Sequence, residues 1–299
     1  SAKSSTIVNS GLDAELLAGH VYQEGYVVPT RAVNLWFARD VVVVEAGGKL
    51  IEDAGRWNAI LRRLQPARLR SLFGGGRQAP RSVVVFMDAE RFLQPGAQEN
   101  TTAIARRLNA RLGEVSRALG VQLPVYVLFT RCDRIPFFTE YVSNLSDEES
   151  RQVVGVTVPL ALGQGAGVYA EEETRRLTMA MRDLFLGLAD YRSPMLKREH
   201  NAAKLPGIYE FPREFRKLRQ MLVQFTVELC RPSQLQTSPY LRGLYFSGVR
   251  PVEVREAVRQ RRPAQGNLSD ATGVFGGAGM EAQAAPSVQT RRLPQWVFT

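Results

Sequence analysis

The fold is decided by the stretch VYVLFTRCD, residues 125–133, in which five apolar residues run into a polar turn. Two similar apolar runs precede it, VVVV at residues 41–44 and VVVFM at residues 83–87. Runs that are apolar throughout, without alternation, are typical of strands buried on both faces of a sheet. We therefore predict strands of a mostly parallel sheet, with ligands bound at the carboxyl ends of the strands.

Helical patterns lie between and after these runs. Apolar residues recur at helical spacing over 57–64 and over 104–119, and the second segment follows a predicted N-cap at Asn100 or Thr101. Helical periodicity returns over 171–188 and again from Pro212, a residue favoured at the first position of a helix. The predicted fold class is α/β, a mostly parallel sheet flanked by helices, with a mainly helical C-terminal extension.

Composition limits the class of protein. The 299 residues carry 39 Lys and Arg against 29 Asp and Glu, a net charge of +10, which favours acidic partners such as anionic lipid or acidic protein. Two cysteines are too few for a disulfide framework or a thiolate zinc site. The longest uncharged stretch, residues 153–170, contains a proline and four glycines, so we expect no membrane-spanning helix there.

The opening residues SAKSST, 1–6, match the second half of a phosphate-binding loop. In such loops a lysine reaches the β- and γ-phosphates and the following hydroxyl binds Mg²⁺, which assigns those roles to Lys3 and Ser4, with Ser5 beside them. The glycine half of the loop is not in this sequence, and the chain is expected to be a fragment of a longer protein. The alternative interpretation is an exposed, frayed N-terminus.

A second candidate motif is EAGGK, residues 45–49, which follows the first apolar run. Phosphate-loop GTPases place Asp-x-x-Gly here, with the carboxylate in the Mg²⁺ shell and the glycine N–H near the γ-phosphate. Glu45 and Gly48 take these positions, and Lys49 follows where many GTPases carry a glutamine. Glu45 in place of aspartate and Lys49 in place of glutamine both favour slow or absent hydrolysis. The alternative is a buried strand that ends in a Gly-Gly turn.

A third candidate motif is TRCD, residues 130–133, at the end of the third apolar run. It resembles the guanine-recognition signature, in which a carboxylate accepts both N–H groups of the guanine edge. Thr130 and Asp133 are the candidate base-binding residues, and Arg131 replaces the usual lysine. The alternative is that Asp133 caps the turn before Pro136. The three degenerate motifs occur in the right order and spacing for one nucleotide site.

Arginines are concentrated between residues 56 and 81, where seven occur without an acidic residue. We interpret this segment as a contact for acidic protein or lipid headgroups, and the alternative is a solvated surface. The sequence shows no basic groove interleaved with aromatic residues, so nucleic acid is not an expected partner.

Longer strings resemble one known family. They are NLWF at 34–37, LPVYVLFTRCDRIP at 123–136, LSDEE at 145–149, YEFPREF at 209–215 and LRGLYFSG at 241–248. Together they resemble the cytoplasmic region of the IcmF/TssM proteins of bacterial type VI secretion, over nearly all of the chain up to residue 248.

The resemblance implies a P-loop NTPase fold of the GTPase-like class. It also implies that this region lies at the cytoplasmic face of the bacterial inner membrane and belongs to a multi-pass or anchored parent protein. The implied domains are the NTPase-like domain at 1–190, a helical extension at 191–262, and a flexible linker at 263–299 that leads to the next membrane helix. The implied partners are other membrane-complex and baseplate proteins of the secretion system.

The resemblance also carries the site residues. Lys3, Ser4, Ser5, Gly48, Thr130 and Asp133 would bind GTP or ATP, Ser4 and Glu45 would hold Mg²⁺, and Glu45 would be the catalytic candidate. The favoured hypothesis is a docking platform that binds nucleotide and hydrolyses it weakly or not at all. The alternative is an active GTPase or ATPase that energises or regulates assembly of the secretion apparatus.

Overall fold

A computed structural model describes residues 2–17, 20–23, 26–65, 81–159, 169–232, 239–258 and 287–298. The chain divides into two compact units, Ser1–Arg250 with Trp296–Thr299, and Pro251–Gln295. The predicted loop over 266–286 and the arginines at 68, 70 and 77 lie outside the described residues. Among the described helices, none combines the length and the apolar composition needed to cross a membrane.

The elements are named in chain order. The helices are α1 (Ala2–Val8), α2 (Gly48–Glu52), α3 (Ala54–Leu64), α4 (Ala97–Leu119), α5 (Phe138–Val142), α6 (Asp147–Ser150), α7 (Tyr169–Arg198) and α8 (Leu205–Leu229). The strands are β1 (Glu15–Leu16), β2 (Tyr22–Gln23), β3 (Tyr26–Val27), β4 (Val33–Phe37), β5 (Val42–Ala46), β6 (Val83–Asp88), β7 (Pro124–Thr130), β8 (Val154–Thr157), β9 (Tyr240–Phe246), β10 (Gly248–Val258) and β11 (Ser287–Val297). Two 3₁₀ turns occupy Ala89–Phe92 and Cys132–Arg134.

The central sheet has the strand order β6-β7-β9-β8. Strands β6, β7 and β9 are parallel, and β8 is antiparallel to β9 at the edge. The apolar run of β7 pairs on both sides, and Val125, Val127 and Phe129 are fully buried. The prediction of parallel strands with a continuous apolar pattern is confirmed for β6 and β7.

The first apolar run is not part of that sheet. Strand β5 pairs antiparallel with β4 in a separate sheet of order β1-β4-β5, so the prediction of one sheet containing all three runs is wrong. The physical reason is the short connection between β4 and β5, closed by a hydrogen bond of 2.9 Å from Ala38 N–H to the Val41 carbonyl. A tight connection of this kind permits only antiparallel pairing.

Two predicted helix starts are corrected. Helix α4 begins at Ala97 instead of after Asn100 or Thr101, because Gly96 takes the left-handed conformation at the N-cap with φ of 70°. Helix α8 begins at Leu205, and Pro212 lies inside it. Pro212 is one of twelve buried residues of α8. The packing of these residues outweighs the cost of the helical hydrogen bond that proline, which has no backbone N–H, cannot donate.

Aromatic residues hold the carboxyl end of the sheet against the helices. Phe92, Phe129 and Phe225 are mutually in edge contact, with ring centroids 5.7 to 6.1 Å apart. Phe246 stacks on Phe129 at 5.2 Å, and Phe215 of α8 meets Phe246 edge-on at 4.9 Å. Such pairs stabilise by about 0.5–1.5 kcal/mol each beyond the burial of their surface. These ring contacts pack the ends of β7 and β9 against α8 and the first 3₁₀ turn.

The end of the chain returns to the first unit. Phe298 N–H donates a hydrogen bond of 2.7 Å to the Ser150 carbonyl, and the Phe298 ring meets Phe138. The predicted linker at 263–299 contains strand β11. The predicted domain boundaries near residues 190 and 262 stay predictions.

Candidate functional site

Two of the predicted site residues meet inside the protein. Ser4 on α1 and Glu45 on β5 are 41 positions apart, and the Ser4 hydroxyl donates a hydrogen bond of 2.7 Å to Glu45 Oε1. Both residues are buried, with 0% and 4% of their surface exposed. A buried carboxylate needs hydrogen bonds or a cation to compensate its charge. Helix α1 and strand β5 thus share one polar centre.

Strand β4 supplies the second donor to this carboxylate. Trp36 Nε1 donates to Glu45 Oε2 at 2.9 Å, and the indole is 1% exposed. In the antiparallel register Asn34 stands directly opposite Glu45, and Trp36 follows two residues later on the same face. Cross-strand neighbours on one face are within side-chain reach. The antiparallel register therefore places the side chains of Asn34 and Trp36 on the same face of the sheet as Glu45.

A hydroxyl that the sequence did not reveal joins the same cluster. Thr30 Oγ1 lies 3.2 Å from Ser4 Oγ, and Asn34 Nδ2 donates to Thr30 Oγ1 at 3.0 Å. A serine has one hydroxyl proton and an ionised carboxylate only accepts, so the Ser4 proton goes to Glu45 and Thr30 donates to Ser4. The bonds then run from Asn34 to Thr30, to Ser4 and to Glu45, with Trp36 donating from the other side.

Gly47 allows Thr30 to reach this position. A Cβ atom on Gly47 would lie 2.8 Å from the Arg31 carbonyl oxygen and 2.9 Å from that of Thr30. The Gly47 N–H also donates to the Ala32 carbonyl at 2.7 Å. Only glycine leaves room for this backbone approach. Gly48, the glycine singled out from the sequence, begins α2 with open space around it, and its predicted role stays a prediction.

The remaining residues of the first motif lie on α1. Lys3 and Ser5 are both half-buried there. Within the described ranges, no hydrogen bond or ion pair joins Lys3 to the cluster around Glu45. Their predicted contacts with phosphate stay predictions.

The third motif lies at the carboxyl ends of β6 and β7. Thr130 pairs with Asp88 in the parallel register, and its buried hydroxyl donates to the Met87 carbonyl at 3.4 Å. Asp133 lies in the following 3₁₀ turn with 26% of its side chain exposed, 3.8 Å from Arg134. The carboxylate of Asp133 is therefore accessible at the sheet edge, as a base-binding role requires, whereas the Thr130 hydroxyl is turned inward.

Arg131 is engaged within the protein. It adopts a left-handed conformation with φ of 59°, and its guanidinium binds Asp88 at 2.7 Å and Glu90 at 2.8 Å. The hydrogen bond to Asp88, helped by the charges of Asp88 and Glu90, raises the pKa of Arg131 above its ordinary value. The cation that stands in the position of the usual lysine thus clamps the ends of β6 and β7.

Two residues that follow β9, Ser247 and Gly248, lie at the same edge. Cys132 N–H donates to the Ser247 carbonyl at 3.1 Å, and a Cβ on Gly248 would lie 3.1 Å from the Asp133 nitrogen. The string YFSG at 245–248 carried the signal, since a small polar residue and a glycine end a buried strand. Cys132 is 1% exposed, and burial raises the pKa of its thiol, which agrees with a packed residue that is not a nucleophile.

The two halves of the predicted site are separate networks. In the described ranges no hydrogen bond or ion pair connects Asp133 with Ser4 or Glu45. Two surface hollows of the described chain lie elsewhere, one of about 450 Å³ along α7 and one of about 840 Å³ between α4 and α8. No group of three His, Cys, Asp or Glu side chains in the described part is close enough to hold a metal ion.

The cluster around Glu45 has oxygen donors of the kind that Mg²⁺ prefers, but it is closed, with Ser4 and Glu45 0% and 4% exposed and both Glu45 oxygens already hydrogen-bonded. Mg²⁺ prefers hard oxygen donors, keeps several waters, and is typically held by one or two carboxylates together with phosphate oxygens. Ser4, Thr30 and Glu45 present hydroxyl and carboxylate oxygens of this kind. Lys3 is adjacent in sequence to Ser4 and would supply the phosphate contact.

Comparisons with known proteins place the chain in a family context. Residues 51–285, more than half of the chain, match the family model described as the IcmF-related N-terminal domain. The chain is 30% identical over 261 residues to the type VI secretion system component TssM1 of Pseudomonas aeruginosa, a match that covers 83% of this chain and 22% of that protein. The chain thus spans about a fifth of the relative. No solved structure matches the chain.

Proposed function

The chain belongs to the IcmF-related family, and from that premise we propose that it is an NTPase-like docking module of a type VI secretion apparatus. In this proposal the module lies at the cytoplasmic face of the inner membrane, within a membrane-anchored parent protein. It contacts baseplate and membrane-complex proteins. It binds GTP or ATP with Mg²⁺ and hydrolyses the nucleotide weakly or not at all.

The observation that supports this proposal is that the Glu45 carboxylate is buried and hydrogen-bonded within the protein. Glu45 is buried and accepts from Ser4 and Trp36, so both of its oxygens are occupied by protein donors. A general base must instead reach the proton of the attacking water. A group held in this way suits the structural support of an ion better than proton transfer.

The clamped arginine supports the same conclusion. Arg131 is bound by Asp88 and Glu90, which neutralise its charge at the edge where a nucleotide base is expected. Transition-state charge in phosphoryl transfer is normally met by free cations and metal ions. An arginine that joins the ends of two strands in this way has a structural role, which agrees with a docking module.

Two measurements test the proposal together. The full-length protein is titrated with labelled GTP and ATP in the presence of Mg²⁺, and phosphate release is followed over hours. In the bacterium that carries it, secretion is measured for Lys3→Ala, for a deletion of the whole region, and for Lys197→Ala, an exposed lysine of α7, as the control.

The docking proposal expects secretion to be lost on deletion and kept in both lysine variants, with phosphate release near the background rate. Rapid turnover that Lys3→Ala abolishes, together with loss of secretion in that variant, would overturn it in favour of an active NTPase. Secretion that survives the deletion would remove the docking role.

A further inference from the structure

Helix α3 carries arginines that no nearby acid neutralises. On other described helices a cation often pairs with an acid three positions away. The pairs of this kind are Arg111–Glu114, Arg176–Glu173, Arg213–Glu210 and Lys217–Glu214. In the sequence no Asp or Glu occurs between Asp53 and Asp88. Arg62 and Arg63, in the last turn of α3, are exposed and form no ion pair with any residue that the structure describes.

Helix α4 holds α3 in place and adds a further cation. Arg111 Nε donates to the Ile51 carbonyl at 2.9 Å, and its guanidinium lies over the Trp57 ring at 5.9 Å. Arg107 stands one turn before Arg111 on the same side of α4, and it is exposed without an ion pair in the described ranges. We call the exposed cations of α3 and of this side of α4 the basic face: Arg56, Arg62, Arg63 and Arg107.

The exposed side of α3 lacks large apolar residues. Its other exposed positions include Gly55, Asn58 and Ala59, whereas Leu61 is buried and Ile60 is half-buried. Among the exposed large hydrophobic residues of the described chain, none lies on α3 or α4. Helices that bind lipid surfaces present large apolar side chains beside their cations, for insertion below the headgroups. The basic face therefore suits the carboxylates of a protein better than a membrane.

We propose that the basic face docks an acidic segment of a partner protein, whose carboxylates pair with Arg62, Arg63 and Arg107. This inference rests on the proposed docking function, and it names the surface of the chain and the charge of the partner. A guanidinium binds a carboxylate through two parallel hydrogen bonds. Pairing also offsets the mutual repulsion of the cations, and their combined field attracts an acidic partner.

The first experiment measures binding of a short fluorescent polyglutamate peptide to the full-length protein in phosphatidylcholine nanodiscs. Arg62→Glu combined with Arg63→Glu should weaken binding about tenfold at low salt, because each reversal replaces an attraction by a repulsion. Arg107→Glu alone should weaken it about threefold. The matched control is Arg175→Glu combined with Lys197→Glu, which changes the net charge equally at exposed positions of α7. It should keep the affinity within about twofold, because salt screens distant charges.

A second variant separates binding from stability. Cations in the last turn also stabilise a helix, so urea midpoints are measured for every variant. Arg62→Gln combined with Arg63→Gln keeps good helix formers and should weaken binding about threefold, and it decides the matter if the charge reversal unfolds the protein. Equal affinity in all variants would mean that the peptide responds to net charge alone, which contradicts the basic face.

Nanodiscs that contain phosphatidylserine test the lipid alternative. Hydrogen exchange of the α3 amides should be the same in neutral and anionic nanodiscs. Slower exchange of α3 in anionic nanodiscs, together with unchanged peptide binding in the reversal variants, would replace the protein partner by a membrane and refute the proposal.

In the host, a photoreactive residue at Ala59, which is exposed on α3 between Arg56 and Arg63, should crosslink to a segment rich in Asp or Glu. Changing those acids to lysine should restore the secretion that the reversal of Arg62 and Arg63 abolishes. Normal secretion in the reversal variant, with loss on deletion of the whole region, would exclude the basic face and leave docking to another surface. Secretion that survives the deletion would overturn the docking function itself, whatever the peptide measurement gives.

Discussion

Replacing Arg131 by methionine measures how much the clamp between β6 and β7 contributes to stability. Arg131, Asp88 and Glu90 have 38%, 26% and 37% of their side chains exposed, so water screens both ion pairs. Pairs with this exposure contribute roughly 0.2–1 kcal/mol each. The substitution also leaves two carboxylates facing each other, and we expect a total loss of about 1–2 kcal/mol. In a unit of this size that lowers the melting temperature by about 2–4 °C per kcal/mol.

Urea unfolding at low and high salt tests this value. The loss should be largest at low ionic strength and should shrink at 1 M salt, where the screening length is about 3 Å. Asp88→Asn keeps the bond to the Glu90 N–H but removes the charge, so the double variant with Arg131→Met gives a coupling of about 0.5–1 kcal/mol. Arg134→Met, on the same loop with 56% exposure, is the control and should cost less than about 0.5 kcal/mol. If Arg131→Met has the same free energy of unfolding as the natural protein at low salt, the ion pairs of Arg131 do not stabilise the fold and the reasoning is refuted.

Three further predictions concern the scaffold. Hydrogen bonds from Arg198 and from a tyrosine lower the pKa of Glu149 to about 2. The stabilisation of the fold by ionised Glu149 is therefore complete above the ordinary pKa of 4.5 and is lost as the pH falls from 5 to 2. Glu149→Gln should therefore flatten the acid side of the stability curve by about 1 kcal/mol after screening, and superimposable curves would contradict this. Gly155→Ala should cost about 3 kcal/mol in urea unfolding, because a Cβ there overlaps the backbone of β9, and a loss below 1 kcal/mol would contradict the packing. Phe92→Ala should cost about 4 kcal/mol, against less than about 1 kcal/mol for the exposed Leu93→Ala, and equal losses would contradict its place in the core.

The sequence was sufficient for local structure where one physical signal dominates. Continuous apolar runs predicted the strands at 83–88 and 124–130, because these strands lie in the buried part of the sheet. It was insufficient where pairing partners are distant or packing overrides a local preference. The run at 42–46 pairs with an upstream hairpin strand, and Pro212 sits inside a helix whose buried face stabilises it. Neither choice is encoded by periodicity alone.

The site shows the same division. Motif order predicted one site that contains Ser4, Glu45 and Asp133; the structure joins Ser4 to Glu45 at 2.7 Å, and the predicted nucleotide-binding role of these residues stays a prediction. Thr30 was missed because it lies in a coil with no repeating pattern, and only the three-dimensional approach of its segment to Gly47 brings it near. Trp36 carried a usable signal, since an indole on a strand beside a buried acid needs an acceptor for its N–H.

The direction of the hydrogen bonds around Glu45 bears on whether this residue could act as a base in hydrolysis. Hydrogen bonds are donated from Asn34 to Thr30, from Thr30 to Ser4 and from Ser4 to Glu45, and Trp36 donates to the other oxygen of Glu45. Both carboxylate oxygens of Glu45 therefore accept hydrogen bonds from protein side chains, and with the residue 4% exposed they are poorly placed to reach an attacking water. The hydrogen bonds around Glu45 therefore support the proposed docking module with weak or absent hydrolysis.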